Sequence, residues 1–461
     1  MAKIGSLIWE AIQGKEKNFT TGSINRALLM LSIPMILEMV MESLFAVVDV
    51  FFVSRIGTDA VATVGLTESV ITLVYAIAIG ISMGATAMVS RRIGEKNPEA
   101  AAVAAVQAIV LAGIVSFGIS ILGIIYASDI LRLMGASPEV LATGTSYTRI
   151  LLGSNIVITL LFLLNGIFRG SGDAYLAMHA LWIANICNMI LDPLLIMGIG
   201  PFPELGLQGA AIATMIGRGI GVSYQLYILL TGKSIIHLKL RHLKISPVII
   251  KRLAKVSVSG AWQYMITSTS WIFLMRIIAE FGSQAVAGYT IAIRLIIFTI
   301  LPSWGLSNAA ATLVGQNLGA KQPERAEKSV WKAGFYNALF LVGVSIIFII
   351  FARHLIGLFS TEPEVLESGI LSLRIICVGY VFFSYGMVIS QSFNGAGDTF
   401  TPMVVNIICF WFIQIPLGYI LALSFEWGLA GVCWAIVISE SFLAAIVIVL
   451  FRRGRWKKVM I

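Results

Sequence analysis

The sequence predicts an all-α integral membrane protein of twelve transmembrane helices in two six-helix parallel repeats. Three observations carry that prediction: a composition no soluble fold of this length could hide, a ladder of apolar runs, and self-similarity at one constant offset. Of 461 residues, 58% are hydrophobic and only 12% charged, with a mean hydropathy of +0.93. An average soluble domain carries roughly 25% charged residues. Stretches such as 100–125 and 335–351 are free of charge and long enough to cross a bilayer, for which roughly 17 to 25 residues are needed.

Apolar runs bounded by charge, Gly and Pro place the spans near 26–54, 61–89, 100–126, 140–167, 175–198 and 208–231, then 251–279, 286–314, 329–352, 365–392, 401–424 and 428–451. The expected organisation is a leader (1–25), an N-lobe (26–231), a basic link (232–250), a C-lobe (251–451) and a basic tail (452–461). The first apolar run begins near Ile24 after a polar stretch and lacks a small-residue cleavage site, so the first span is expected to act as its own insertion signal.

Sliding the chain against itself by 225 residues aligns matching residues without a gap. Gly57 falls on Gly282, Gly94, Lys96, Pro98 and Glu99 on Gly319, Lys321, Pro323 and Glu324, and Pro138 and Glu139 on Pro363 and Glu364. Arg149 falls on Arg374, and Phe168, Gly170, Gly172 and Asp173 on Phe393, Gly395, Gly397 and Asp398. Six spans per repeat is an even number, so both halves enter the membrane from the same side. Parallel repeats of this kind mark transporters.

The formal net charge of +9 does not read as nucleic-acid binding, because the basic residues are scattered in short segments between apolar runs. Orientation explains them. Of the 32 Lys and Arg, 24 fall on the side of the termini, four (Arg55, Arg132, Arg276, Arg353) on the other, and four (Arg149, Arg218, Arg294, Arg374) inside spans. The positive-inside rule then makes both termini cytoplasmic, in a multi-pass protein of the inner (plasma) membrane. Cys187, Cys377, Cys409 and Cys433 all sit in apolar runs with no CxxC pair, which argues against disulfide, zinc or redox work.

Chemistry concentrates in the first span. Glu38, Glu42 and Asp49 project at about 0°, 40° and 20° around a helix turning 100° per residue. A carboxylate within a membrane costs several kcal/mol and normally faces a protein interior or a water-filled cavity. For Glu38 and Glu42 a bland reading competes, a stripe near the helix end or a pairing with Arg294. Asp192 precedes Pro193, whose ring displaces the Met189 carbonyl from the ladder and leaves an acceptor beside the carboxylate. Asn188 lies one turn back, so this pair reaches Asp49 if the first and fifth spans are neighbours. Arg149 and Arg374 read as structural, each meeting a nearby acid or carbonyl. Gly170, Gly172, Asp173 and their repeats read as tight loops with a helix cap. Gly80-Ile81-Ser82-Met83-Gly84 matches a hydrolase elbow only as a pattern, since it lies within a span where the glycines form a packing face. Neither GxxxxGK[ST] nor HExxH occurs, leaving ATP drive and zinc proteolysis without support. No cofactor is expected, and energy must come from an ion gradient.

Taken together, Leu31-Ser32-Ile33-Pro34, Val48-Asp49, Arg169-Gly170-Ser171-Gly172-Asp173, the segment 188–193 and Asn394-Gly395-Ala396-Gly397-Asp398 resemble the multidrug and toxic compound extrusion transporters, over the whole chain. The resemblance implies two lobes forming a V-shaped cavity, alternating access, and export of small amphipathic or cationic compounds in exchange for H⁺ or Na⁺. It also implies Asp49 as a coupling residue, with Asn188, Asp192 and Thr214 as its neighbours, the place for Na⁺ if that is the ion, and Tyr147 nearby. Glu38 and Glu42 join the coupling set on the strength of their shared face. The substrate cavity is expected to draw on Tyr147, Asn165, Gln263, Thr267, Trp271 and Tyr385. The chain departs from the family in that its tenth span lacks the acidic residue that one branch uses for Na⁺ in the C-lobe. At the 225 offset Glu38, Glu42 and Asp49 map to Gln263, Thr267 and Leu274, so coupling is expected in the N-lobe. The expected partners are small organic substrates and the lipid bilayer, with no nucleic acid, and the expected state is a monomer. A lipid-linked precursor flippase is the alternative within transport and calls for a dense cationic cluster in its cavity. A membrane-embedded transferase is the alternative from another class and calls for a paired-carboxylate metal motif, which is not seen.

Overall fold

A computed structural model describes residues 2–16 and 18–461. Met1 and Lys17, and the side chains of Ala2, Lys3, Ile4, Val50 and Thr58, lie outside the described residues, so Lys3 and Lys17 of the leader's basic set are not placed. The described residues form helices joined by short loops, without strands. A short helix α1 (Ala2–Ile12) leads to the first six-helix lobe: α2 (Ile24–Val53), α3 (Thr58–Gly94), α4 (Pro98–Leu133), a pair α5 (Pro138–Gly153) and α6 (Asn155–Ser171), α7 (Ala174–Met197) and α8 (Leu207–Thr231). The second lobe follows with α9 (Pro247–Ala279), α10 (Ser283–Gly319), α11 (Pro323–Gly357), the pair α12 (Pro363–Val378) and α13 (Tyr380–Ala396), α14 (Phe400–Ser424) and α15 (Gly428–Arg452). By length and apolar composition, seven helices qualify to cross a membrane among the described residues, nine with each bent pair taken as one span. The other three, α2, α8 and α9, run alongside; the shortest of them, α8 with 25 residues, spans about 37 Å at 1.5 Å per residue, more than a hydrocarbon core of about 30 Å.

Two spans are bent where the sequence reading has straight helices. The fourth bends by 41° around Ser154 and the tenth by 57° around Gly379, positions 225 apart. The repeat therefore extends to irregularities. Lys96 and Lys321 both turn left-handed, at φ 58° and 59°, as do Gly172 and Gly397, at 95° and 88°. The guanidinium of Arg149 donates to the Ile124 carbonyl at 3.2 Å and that of Arg374 to the Ile349 carbonyl at 3.1 Å. In the fifth span of each lobe a tryptophan indole donates to a first-span carbonyl, Trp182 to Leu37 at 3.2 Å and Trp411 to Ile266 at 3.3 Å. One difference is local: π-helical turns at Ile407–Gln414 and Ile420–Ser424 flank Pro416 in α14, the kind of insertion by which a helix absorbs a proline.

The lobes meet along the halves of α2, α3, α9 and α10 nearer the termini. Gly80 takes the backbone of Ser257 and Ala261 against it, Gly94 that of Gln316, Gly319 that of Arg91 and Gly305 that of Met35. Gly80 and Gly84 are thus helix-packing positions, and Ser82 spends its hydroxyl on the Phe162 carbonyl at 2.9 Å. Flanking segments cross the same seam. Arg325 of the second lobe donates to the carbonyls of Thr21 and Gly22 at 2.9 Å, and Arg91 of the first donates to Val459 at 2.7 Å. Trp456, fully buried, stacks on Phe451 at 4.6 Å. The four cysteines are unbridged.

Asp173 corrects one expectation. Its carboxylate does not cap α7; it accepts from the Ser234 hydroxyl at 2.6 Å and the Ile235 amide at 2.9 Å, tying the link to the lobe. Its repeat, Asp398, accepts from the Thr401 amide at 3.1 Å as a cap does.

Candidate functional site

Helix α2 packs against α7 and against α10 of the other lobe, and its three acids meet three different environments. Glu38 is 1% exposed. Its Oε1 accepts from Asn165 Nδ2 at 3.0 Å and from the Arg169 guanidinium at 3.2 Å, both on α6. Asn165 in turn accepts from Gln225 of α8 at 2.5 Å. An isolated carboxylate at that depth would be costly, and the guanidinium offsets part of that cost. The pairing with Arg294 is overturned, because α6 supplies the cation.

One turn further along α2, Glu42 accepts from Arg218 of α8 at 3.3 Å and from Asn185 of α7 at 3.1 Å. Arg218 is 2% exposed and its guanidinium also lies 5.2 Å from the centre of the Phe45 ring, a cation–π contact. The buried Arg218 and the mostly buried Arg169 are thus each paired with a glutamate, and a cationic cluster of the kind a diphosphate would need is not what they build.

Further along, Asn188 donates to Asp192 Oδ1 at 3.3 Å, within α7, and to the Thr214 hydroxyl of α8 at 3.2 Å. Two oxygens at this point, Asp192 Oδ2 and Asn188 Oδ1, are buried without a hydrogen-bond partner. Asp49, partly exposed, lies within electrostatic reach of Asp192, Glu68 and Arg218. Tyr147, buried, interacts with Asp49, Glu68, Tyr75 and Asp192. A proton or a small hard cation is the chemical complement of such a set: carboxylates and amide oxygens, with lone pairs that no donor uses.

The expected cavity residues separate. Tyr147 and Asn165 join the acids above. Gln263 donates to Asn394 Oδ1 at 2.9 Å and to the Thr399 carbonyl at 2.6 Å, while the Thr267 hydroxyl donates to the Gln263 carbonyl at 3.0 Å. Trp271 packs, half-buried, on the apolar core around Leu274 and Phe383. Tyr385 lies against Trp331, with ring centres 6.4 Å apart. The sequence reading missed Arg169, Asn185 and Gln225. A signal existed for Arg169: at the 225 offset Glu38 and Arg169 become Gln263 and Asn394, losing opposite charges together, and Gln263 and Asn394 are again hydrogen-bonded partners.

Comparison with known proteins bears on the fold and the family. The family model described as MatE matches residues 34–194 and 261–420, more than half of the chain and one segment in each lobe. A probable multidrug resistance protein NorM of Thermotoga maritima is 27% identical over 439 residues, covering 94% of each chain. An FAD transporter of Shewanella oneidensis is 30% identical over 419 residues, covering 90% of this chain and 92% of its own. Among solved structures, an outward-facing multidrug resistance transporter of the same family superposes with a TM-score of 0.90 at 27% identity, over 98% of this chain and 99% of its own.

Proposed function

Because the chain belongs to the multidrug and toxic compound extrusion family of membrane transporters, we propose that it is a secondary active antiporter. In this reading it exports small amphipathic or cationic organic compounds in exchange for H⁺ or Na⁺, as its two lobes open alternately to either side of the plasma membrane. Both termini and the link then face the cytoplasm, and the protein acts as a monomer. The multidrug relative supports the substrate class.

The observation that carries the coupling mechanism is the pair of unpartnered buried oxygens on Asn188 and Asp192, beside Thr214 and within electrostatic reach of Asp49. Two carboxylates that share a low-dielectric site repel each other, and a proton or Na⁺ relieves that repulsion. Arrival of the ion alters the hold of α7 on α2 and α8, next to Pro193, and removes the negative charge that retains an organic cation. Glu38 and Glu42, whose charges are met by Arg169 and Arg218, set the positions of α2, α6 and α8 around that site. A flippase of related architecture is not favoured, since each buried arginine is paired with an acid.

The deciding experiment uses purified protein in liposomes with H⁺ and Na⁺ gradients imposed separately. Efflux of a fluorescent organic cation driven by one of them supports the proposal; efflux indifferent to both gradients overturns it. Cysteine-accessibility labelling that finds the 232–250 link on the outer face would reverse the orientation.

A further inference from the structure

The segment that joins the lobes has two apolar sides, and the protein covers only one of them. Ile236, Leu238 and His242 are buried against the first lobe. The Arg241 guanidinium and the His242 ring meet Glu99 of α4 at 2.6 and 2.7 Å, while the Gln107 side-chain amide donates to the Lys244 carbonyl at 3.1 Å and accepts from the Ser246 amide at 2.9 Å. Between Glu99 and Gln107 the link descends along α4 by about 12 Å toward the bilayer centre, eight residues at 1.5 Å each. On the uncovered side, Leu243 and Ile245 of the link and Val248 of α9 are each more than half exposed.

What that side meets follows from the direction of α4. Glu99 and Gln107 lie 18 residues from Phe117 and Ile125, five turns at 3.6 residues each, so each pair shares one direction on the helix. Phe117 and Ile125 are more than half exposed within a span, where the neighbour is lipid. The link therefore lies on the lipid-facing stripe of α4. Helix α9 adds charge beside it: Val248, Lys251, Arg252 and Lys255 stand at i, i+3, i+4 and i+7, one stripe of its first turns, and all four are exposed. The stripe continues into the exposed Val258 and Trp262. Among the described residues no acid pairs with Lys244, Lys251, Arg252 or Lys255, whereas Lys239 and Arg241 are spent on Glu99. Unpaired cations next to uncovered apolar side chains, at the level where a span leaves the hydrocarbon, complement an anionic phospholipid: the phosphate for the cations, the acyl chains for the rest.

We propose that the link and the first turns of α9 form a binding site for an anionic phospholipid, with Lys251 and Arg252 holding the headgroup phosphate and Leu243, Ile245 and Val248 seated among the upper acyl carbons. The site follows from the membrane fold alone. Neither the exporter reading nor the choice of coupling ion enters it.

The test titrates purified protein in detergent with phosphatidylglycerol or phosphatidylcholine and counts bound lipid by native mass spectrometry. The wild type should hold phosphatidylglycerol in preference, and Lys251→Gln combined with Arg252→Gln should weaken it about twentyfold, about fivefold for each charge, with phosphatidylcholine unchanged. In lipid discs, which present the same lipid on both faces, a spin label at Ile245→Cys should be relaxed by oxygen and shielded from a water-soluble nickel complex, while a label at Lys239→Cys should be open to nickel. Wild-type protein treated with the label gives the background of the native cysteines. No preference of the wild type for phosphatidylglycerol, or unchanged affinity in the folded double variant, overturns the proposal. So does nickel access at Ile245 equal to that at Lys239, or shielding of Ile245 that grows with protein concentration, the mark of a second copy on this face.

Discussion

The two lobes share a backbone down to their bends and left-handed turns, yet they use buried polar groups in opposite ways. In the N-lobe Glu38 meets Arg169 at 3.2 Å; in the C-lobe Gln263 meets Asn394 at 2.9 Å. The same helices are fastened at the same points, once by an ion pair and once by an amide pair. Mechanical fastening therefore needs no charge. What the charged copy adds is a pair of salt bridges in the lobe that also carries Asp49 and Asp192.

The largest effect expected from this comparison is on transport. Asp49→Asn and Asp192→Asn should each reduce gradient-driven efflux to the background of empty liposomes while the protein still elutes as a folded species; wild-type-like efflux by folded Asp49→Asn would break the assignment. Next in size is stability. Glu38→Gln leaves Arg169 buried without its counter-ion, a loss of about 3 kcal/mol or more, visible as a lower midpoint of thermal unfolding in detergent. Glu38→Gln combined with Arg169→Asn installs the C-lobe pair and should recover most of that loss. A double variant no more stable than Glu38→Gln would mean that the lobes are not interchangeable at this point. Smaller still, Gln263→Ala removes neutral hydrogen bonds of about 1 kcal/mol each and, like Thr267→Ala, should leave the ion dependence of efflux unchanged. Smallest, Arg149→Ala and Arg374→Ala each remove one exposed contact to a carbonyl and should shift the midpoint by similar amounts, equivalent to about 1 kcal/mol or less.

The spans, their parity and the repeat were legible because apolar length and a constant offset are local signals. Pairings were not, because Glu38 and Arg169 are 131 residues apart and nothing local ties them. Arg294 was an equally good partner for Glu38 on paper, and only the folded arrangement, which brings Asn165 and Arg169 of α6 within reach of α2, decides. The last span of each lobe was hard to align for a different reason: the 225 offset that holds through the first four spans becomes 229 at the fifth-span tryptophans, Trp182 and Trp411, and 222 at the opening glycines of the last spans, Gly206 and Gly428. The bends at Ser154 and Gly379 were missed because neither position carries a proline.

The crossing of α3 and α10 carries a consequence about origin. Gly94 meets Gln316 and Gly319 meets Arg91, and these pairs exchange under the same offset, so the seam has the geometry of an isologous contact between two copies of one subunit. Beside it Gln316 donates to the Gly170 carbonyl at 3.0 Å, while Arg91 reaches the Ala396 carbonyl at 3.4 Å, again nearly the same bond drawn twice. A true homodimer would be compelled to place the same residue at both ends of that axis, so that two arginines, or two glutamines, shared it. A tandem duplication joined in one chain escapes that compulsion: each copy keeps the self-complementary fit while its charges drift apart, and the division between a charged lobe and a neutral one becomes accessible to ordinary point mutation.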